Sequence, residues 1–392
     1  MNKVAIQKQW DYQSEEIIQK VDAAVNSLGG FQEIFGSGKR VLLKPNLLGA
    51  FPPEKCVTTH PEIVRAVIHY LKAHSCKTFI GDSPAVQGMQ SCMKKSGILE
   101  VAKETDTELI EFKEGALIPI SEEFKFKKVN LAKEIFDFDH IVNLPKLKGH
   151  SMMVLTLAIK NLFGCVVGKR KAQWHLHAGR DYPAFGEMLV EIASIVNPTL
   201  NILDGVWGME GNGPSSGDPI HTGVLITGRD AFAVDVAVCQ MLGYDPNILF
   251  TNQAALKIGM TLKDYFDVDY SILTPNEVKI DKFALPTTHE AHYGLSGDQN
   301  PTFGNKVKGF ILSGLLKSAE GLMSTKPVVN HTDCTLCNFC AKACPPEVIS
   351  EENKKIKINY DDCIRCYCCH EVCPEDAMGI QDSFLKRYAG IG

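Results

Sequence analysis

A duplicated cysteine pattern near the carboxyl end constrains this chain more than any other feature. The two copies, each followed by proline, are Cys334-x2-Cys337-x2-Cys340-x3-Cys344 and Cys363-x2-Cys366-x2-Cys369-x3-Cys373. Nine of the fourteen cysteines lie between the first and the last of these positions. Because the amino terminus shows no apolar signal-peptide pattern, such crowding indicates metal binding rather than disulfides.

The spacing is typical of thiolates that ligate [4Fe–4S] clusters. Two-residue gaps wrap three cysteines around one cluster, and the fourth cysteine reaches the other cluster. The pattern therefore predicts two clusters, held by Cys334, Cys337, Cys340 and Cys373 and by Cys363, Cys366, Cys369 and Cys344. Zinc is the alternative, although zinc sites rarely use this spacing. We interpret the surplus Cys368 as a small buried side chain and His370 as a solvated residue, the alternative for His370 being a hydrogen bond that tunes the second cluster.

The residues before this module alternate between strand-like and helix-like patterns. Short apolar runs at 41–43, 78–80, 140–144 and 200–203 are separated by amphipathic segments. One such segment, 15–28, has Ser14 as its predicted N-cap and Gly29 just after its end. The alternation predicts an α/β domain with a largely parallel sheet over 1–286. A connector with a weak helix at 307–323 follows over 287–326. An α+β ferredoxin domain of the bacterial type, with a hairpin strand at 354–360, then occupies 327–392.

A basic stretch lies in the middle of the chain. Residues 144–180 contain no Asp or Glu, and their basic residues are Lys146, Lys148, Lys160, Lys169, Arg170, Lys171 and Arg180. The whole chain carries a net charge of −5, so this positive field is local. Such a field attracts an anion. The alternative is a solvated surface.

The chemistry of this stretch depends on its local structure. We predict that Ser151 begins a helix ending near Phe163, with Lys146 and Lys148 over its amino end as an anion cradle. Lys160 and Asn161 then lie at its far end. The three histidines of the stretch predict either a metal site or general acid–base chemistry, and they are His150, His175 and His177.

A second unusual segment is glycine-rich. Residues 204–218 contain five glycines and are predicted to form a loop after a strand. Asp204, Glu210 and Asp218 are its candidate ligands for a cation, or else solvated acids of a turn. The segments 44–46 and 81–84 also follow strands and are expected to line the same crevice. Asp230 is interpreted as a helix cap.

These motifs resemble a known family. The runs VLLKPN, GDSPA, NLPKLKGHSMMVLTLAIKNLFG and ILDGVWGMEGNGPSSGDP resemble the family called domain of unknown function 362 (DUF362). The resemblance covers nearly the whole chain, and members often carry a two-cluster ferredoxin module. More distantly, the core is similar to the lactate-racemase type of α/β protein. No motif of that type matches residue by residue, so no cofactor is inferred from it.

Together these features predict an iron–sulfur oxidoreductase. Electrons would pass from the ferredoxin module to an anionic substrate or cofactor held by Lys146, Lys148 and Asn161, with Asp204 and Glu210 orienting it. His150, Lys160, His175 and His177 are the predicted catalytic residues. The alternatives are an electron-transfer subunit that docks through the basic stretch and a metal or cluster carrier.

The expected partners and location follow from composition. An electron donor or acceptor protein is expected, and the acidic net charge argues against nucleic acid as a partner. No apolar run is long enough to span a membrane. A cytoplasmic location is the resulting prediction. An anaerobic host is predicted separately, because exposed [4Fe–4S] clusters tend to be oxygen-labile.

Overall fold

The computed structural model describes residues 2–84, 86–119, 127–168, 170–179, 181–259, 263–288 and 325–381. Its strands are β1 Lys3–Lys8, β2 Arg40–Pro45, β3 Lys77–Asp82, β4 Glu108–Glu111, β5 Gly115–Pro119, β6 Lys128–Ala132, β7 His140–Leu144, β8 Lys146–His150, β9 Val154–Thr156, β10 Leu200–Glu210, β11 Asp218–Gly228, β12 Asp269–Ile272, β13 Lys326–Val329, β14 Ile349–Glu352, β15 Lys355–Ile358 and β16 Met378–Gln381.

Ten of these strands form one mixed sheet. Eight follow the order β12-β1-β11-β10-β7-β2-β3-β4, while β8 pairs with β10 and with β9. The β1–β12, β2–β3, β2–β7, β3–β4, β7–β10 and β8–β10 pairs are parallel, whereas β11 runs antiparallel to both of its neighbours. The predicted α/β domain with a largely parallel sheet is therefore confirmed.

Helices cover this sheet. They are α1 Ser14–Ser27, α2 Phe31–Phe35, α3 Pro61–Ala73, α4 Met89–Lys95, α5 Ile98–Glu104, α6 Ala158–Asn161, α7 Arg170–Ala178, α8 Tyr182–Val196, α9 Ala231–Met241, α10 Phe250–Lys257, α11 Phe339–Ala343 and α12 Cys368–Glu371. Short 3-10 helices span Pro53–Lys55, Lys133–Asp137, Leu162–Cys165, Pro246–Ile248 and Pro275–Val278.

The alternation of side chains along the central strands explains why the sheet has helices on both faces. In β2, Leu42 packs into one hydrophobic core, whereas Val41 and Leu43 pack into the other. Successive residues of a strand point to opposite faces, so an uninterrupted apolar strand needs cover on both sides. The structure makes Gln13, and not Ser14, the N-cap of α1, and no side chain caps that helix.

Two predicted elements were wrong. The segment from Ser151 to Phe163 is not one helix, because it forms a turn, the short strand β9 and then α6. The lysines at 146 and 148 accordingly lie on β8 and not over a helix amino end. Residues 204–210 continue β10 instead of opening a loop, and β11 begins at Asp218.

The ferredoxin domain is built from two small antiparallel pairs, β13–β16 and β14–β15, with α11 and α12 beside them. The predicted hairpin strand corresponds to β15. Most of the predicted connector, including its helix at 307–323, lies outside the described residues.

Candidate functional site

A cavity of about 410 Å³ lies between the α/β domain and the ferredoxin domain. We call it the interdomain cavity. Lys44 and Asp82, at the ends of β2 and β3, line it together with residues of β8, α6 and α7. Cys344 and Glu371 line it from the ferredoxin side. The expected meeting of the 44–46 and 81–84 segments at one edge of the sheet is thus confirmed.

Three lysines of the basic stretch line this cavity without a carboxylate partner within salt-bridge distance among the described residues. Burial lowers the pKa of the Lys148, Lys160 and Lys171 ammonium groups, for Lys171 to about 7. The Lys148 Nζ donates to Val57 O at 2.6 Å, and the Lys171 Nζ donates to Ser83 O. A bound anion would favour the charged form of all three.

A fourth lysine is neutralised internally. The Lys44 Nζ lies 2.8 Å from Asp82 Oδ2, and both side chains are almost fully buried. A Cβ atom at Gly164 would lie 2.3 Å from that Nζ and 2.5 Å from Asp82 Oδ1. Glycine at 164 therefore makes room for the ion pair, which borders the cavity without adding net charge.

His150 connects the two domains. Its Nδ1 accepts hydrogen bonds from the backbone amides of Met152 and Met153, so the neutral ring carries its proton on Nε2. That Nε2 lies 3.2 Å from Glu371 Oε1, although the pair is not aligned as a hydrogen bond. Burial, followed by the charge of Lys160, lowers the pKa of His150 well below its ordinary value. Burial raises the pKa of Glu371.

Unpartnered polar atoms cluster around the interdomain cavity. Five buried atoms of its lining residues lack a hydrogen-bond partner among the described residues, namely Asn46 Oδ1, Thr156 Oγ1, His175 Nδ1, His150 Nε2 and Glu371 Oε1. Leaving such a group unpaired costs about 1–3 kcal/mol. The concentration of such groups around one cavity, with both donors and acceptors present, is typical of a site that a polar ligand completes.

Asn161 holds the cavity wall together. Its Oδ1 accepts from Asn46 Nδ2, and its Nδ2 donates to Asn143 Oδ1, both at 2.8 Å. Asn143 in turn donates to Asn201 Oδ1. Asp235 accepts from the amides of Ala158 and Ile159 at the start of α6. Both side-chain atoms of Asn161 are thus occupied, and the residue positions its neighbours.

The structure separates the remaining predicted residues from this cavity. Lys146 Nζ lies 2.8 Å from Asp204 Oδ2 in a fully buried pair, and Tyr12 OH contacts both side chains. Glu210 Oε2 accepts from the Ala284 amide, and His177 is exposed on α7. Among the described residues, no three His, Cys, Asp or Glu side chains are arranged to hold a single metal ion.

The cysteines converge as the motif predicts. Cys334, Cys337, Cys340 and Cys373 line one small cavity of the ferredoxin domain. Cys344, Cys363, Cys366 and Cys369 line another. Four thiols around a small, mainly apolar space are the donor set of a [4Fe–4S] cluster, so the residues fit the group in both places.

No sequence pattern singles out Glu371 or Thr156, and the interpretation of His370 as a solvated residue is wrong. His370 is buried, and its ring nitrogens contact Met378 O and Asn212 O. Cys368 is buried, as expected of a residue beside the ligand set. No pattern marks Glu371, because its importance arises from the docking of α12 against β8.

The fold and the cysteine sets define an iron–sulfur protein with a ferredoxin-like domain, consistent with electron transfer. A model of the 4Fe-4S dicluster domain matches residues 326–374. The chain belongs to the family described as domain of unknown function (DUF362), whose model matches residues 41–240. A thylakoid-associated protein of Synechocystis sp. is 37% identical over 287 residues, which are 73% of this chain and 88% of that protein.

Two solved structures align with part of this chain. The lactate racemase apoprotein from Thermoanaerobacterium thermosaccharolyticum superposes with a TM-score of 0.39 at 9% identity, over 59% of this chain and 55% of that chain. A Thermotoga maritima protein gives 0.35 at 11% identity, over 52% of each chain. The aligned part is little more than half of either structure. None of the helices searched, all from the described residues, has the length and apolar character needed to cross a membrane.

Proposed function

We propose that this chain is an iron–sulfur oxidoreductase that holds two [4Fe–4S] clusters and reduces an anionic small molecule bound in the interdomain cavity. One observation carries the proposal: Cys344 lines both a cysteine cavity and the interdomain cavity, opposite the lysines. Clusters of this class supply single electrons, generally at low potential. The proposed domains are 1–286 and 327–392, joined by 287–326.

The residues of the chain have distinct proposed roles. Lys148, Lys160 and Lys171 bind the anion, because their charges lack carboxylate partners among the described side chains. His175 moves the proton, since its buried Nδ1 lines the cavity and has no hydrogen-bond partner within the described part of the chain. His150, the first choice from sequence, is instead assigned to donate a hydrogen bond from Nε2 to the bound anion, because backbone amides occupy its Nδ1.

Inward-facing lysines weigh against the docking alternative. Lys146 and Lys148 are 1% exposed, so they cannot form a docking surface for a partner protein. A partner would instead meet the ferredoxin domain where Cys337 is exposed. The cytoplasmic location remains a prediction, and the name of the Synechocystis relative describes that protein alone.

The test begins with anaerobic protein. Two clusters require about eight iron atoms per chain. Dithionite-reduced protein, freed of reductant, is then mixed with pyruvate, crotonate or sulfite, and reoxidation is followed by the visible absorbance of the clusters. Wild type is compared with a Lys160→Gln, His175→Ala variant and with Lys357→Gln, an exposed lysine of β15.

We expect one of these anions to reoxidise the wild type and the Lys357→Gln control at equal rates, and the cavity variant at least tenfold more slowly. Stoichiometric zinc in place of iron would contradict the cluster assignment. Equal reoxidation rates in the wild type and the cavity variant would contradict the assignment of the cavity as the reduction site.

A further inference from the structure

The two cysteine sets have different surroundings. In the first set, which we call the outer set, Cys337 is exposed and none of the four cysteines lines the interdomain cavity. The second set is Cys344, Cys363, Cys366 and Cys369. We call it the inner set, because Cys344 borders the interdomain cavity and the other three are buried.

Charges in the cavity face the inner set. Lys148, Lys160 and Cys344 line the same space, which is also lined by Cys368, the neighbour of Cys369. Lys148 is 1% exposed, so water screens the charge of its protonated form, which a bound anion favours, only weakly. Glu371, the only acidic group of α12, faces the same lysines. A change of charge at these lysines should therefore act on the inner cluster far more than on the outer one.

We infer that an anion seated against Lys148 and Lys160 lowers the reduction potential of the inner cluster and leaves that of the outer cluster unchanged. The physical reason is that the anion neutralises the lysine charge that otherwise favours an added electron. An anion in the cavity thus makes the inner cluster, which would donate the electron, a stronger reductant. This inference rests on the proposed function, since it assumes both clusters and the anion site.

Linkage sets the size of the effect. If the anion lowers the potential, the oxidised protein must bind the anion more tightly than the reduced protein by the corresponding factor. A tenfold difference in affinity equals a shift of about 59 mV for a one-electron couple. Two independent measurements, an affinity ratio and a potential, must therefore agree.

The experiment uses the full-length protein with both clusters and sulfate as the probe, because sulfate does not titrate near neutral pH. Potentials are measured by redox titration monitored by EPR, with sulfate or with chloride at equal ionic strength. Cys363→Ser and Cys334→Ser variants assign the signals, since each alters one ligand set. Equilibrium dialysis measures sulfate binding to the oxidised and the reduced protein.

We expect sulfate to lower the reduction potential of the inner cluster alone. The oxidised protein should correspondingly bind sulfate roughly tenfold more tightly than the reduced protein. Lys160→Gln should lower the inner potential without sulfate and abolish most of the sulfate response, whereas Lys357→Gln should do neither. Bound sulfate with unchanged potentials, or with equal shifts in both clusters, would overturn this inference and leave the proposed function standing. Absence of sulfate binding would overturn both, and the wild-type measurements hold even if a variant fails to fold.

Discussion

At the scale of single residues, the lysines of the α/β domain differ in what neutralises them. Lys44 and Lys146 each face a buried aspartate at 2.8 Å. Lys148, Lys160 and Lys171 line the interdomain cavity, and none of them forms an ion pair within the described part of the chain. Composition alone counts all five as positive charge, whereas the last three are the ones of this group that lack a carboxylate partner among the described residues.

The pKa of Lys171 predicts how anion binding depends on pH. Burial lowers this pKa from 10.5 to about 7, so the side chain loses its proton as the pH rises through about 7. An anion binds the protonated form, and sulfate affinity should therefore fall between pH 6 and 8, by up to roughly tenfold per pH unit. Equilibrium dialysis at constant ionic strength measures the sulfate affinity at each pH.

The Lys171→Gln variant is the control for this pH dependence. It should bind sulfate more weakly at pH 6 and show a flatter pH profile across the same range. A profile as steep as that of the wild type would assign the titration to another group.

Lys146 is predicted to be structural. Asp204→Asn leaves its ammonium buried without a counter-charge and should lower the free energy of unfolding by about 3–5 kcal/mol. The double variant Lys146→Met, Asp204→Leu removes both charges and should recover most of that loss. Urea unfolding followed by tryptophan fluorescence measures both. If Asp204→Asn kept its stability but lost sulfate binding, Lys146 would belong to the anion site after all.

At the scale of elements, the short helix α6 carries Lys160 and Asn161 and is anchored by a buried carboxyl group. Asp235 of α9 accepts the first amides of α6, and burial raises its pKa from 3.8 to about 8. Helix α9 thus holds α6 in place through the Asp235 carboxyl group, which is mainly protonated at neutral pH. The position of the Lys160 ammonium depends on this contact.

The raised pKa of Asp235 has a consequence for stability. Between pH 4 and 8 the folded protein keeps a proton that the unfolded chain releases, so this group makes the free energy of unfolding fall as the pH rises. Asp235→Asn cannot titrate and should flatten that decline. Thermal unfolding temperatures of both proteins, measured from pH 5 to 8, test this. Parallel profiles would show that Asp235 is already ionised in the fold.

At the scale of the whole molecule, the ferredoxin domain closes the interdomain cavity. His370 contacts Asn212 O, Tyr182 donates to Arg365 O, and Lys55 pairs with Asp376. In the described part of this domain, the main hydrophobic cluster is small, with Ile349, Ile356 and Met378 as its buried non-cysteine members. A domain this small needs its clusters to remain folded.

Removal of iron should therefore open the cavity. After anaerobic chelation, we expect protease cleavage within 325–381, little change in the circular dichroism of the α/β domain, and at least tenfold weaker sulfate binding. Cys368→Ser is the matched control, because Cys368 belongs to neither ligand set and the variant should retain full iron content. Unchanged sulfate affinity in the iron-free protein would show that the α/β domain forms the site alone.

Local patterns predicted much of this architecture. The cysteine spacing indicated both ligand sets, because cluster ligation depends on short, fixed gaps along the chain. The apolar runs of β2, β3 and β7 indicated the parallel sheet, since strands buried on both faces need continuous apolar sequence. The segments after β2 and β3 were expected to line one crevice, because loops at the carboxyl ends of parallel strands build the site of such sheets. Their residues do line the cavity.

Long-range contacts decided the rest. Residues 146–150 form a strand because β10 pairs with them. A Cβ atom at Gly149 would lie 2.3 Å from Gly211 O, so this close approach of two distant segments requires glycine. The packing of segments far apart in sequence decides which lysines pair with an aspartate. It also brings Glu371 close to His150. The sequence by itself therefore determined the metal chemistry and the sheet, whereas the tertiary structure alone decided which charges remain open to a ligand. Charge neutralisation requires atoms within a few ångströms, and only folding brings such distant residues that close.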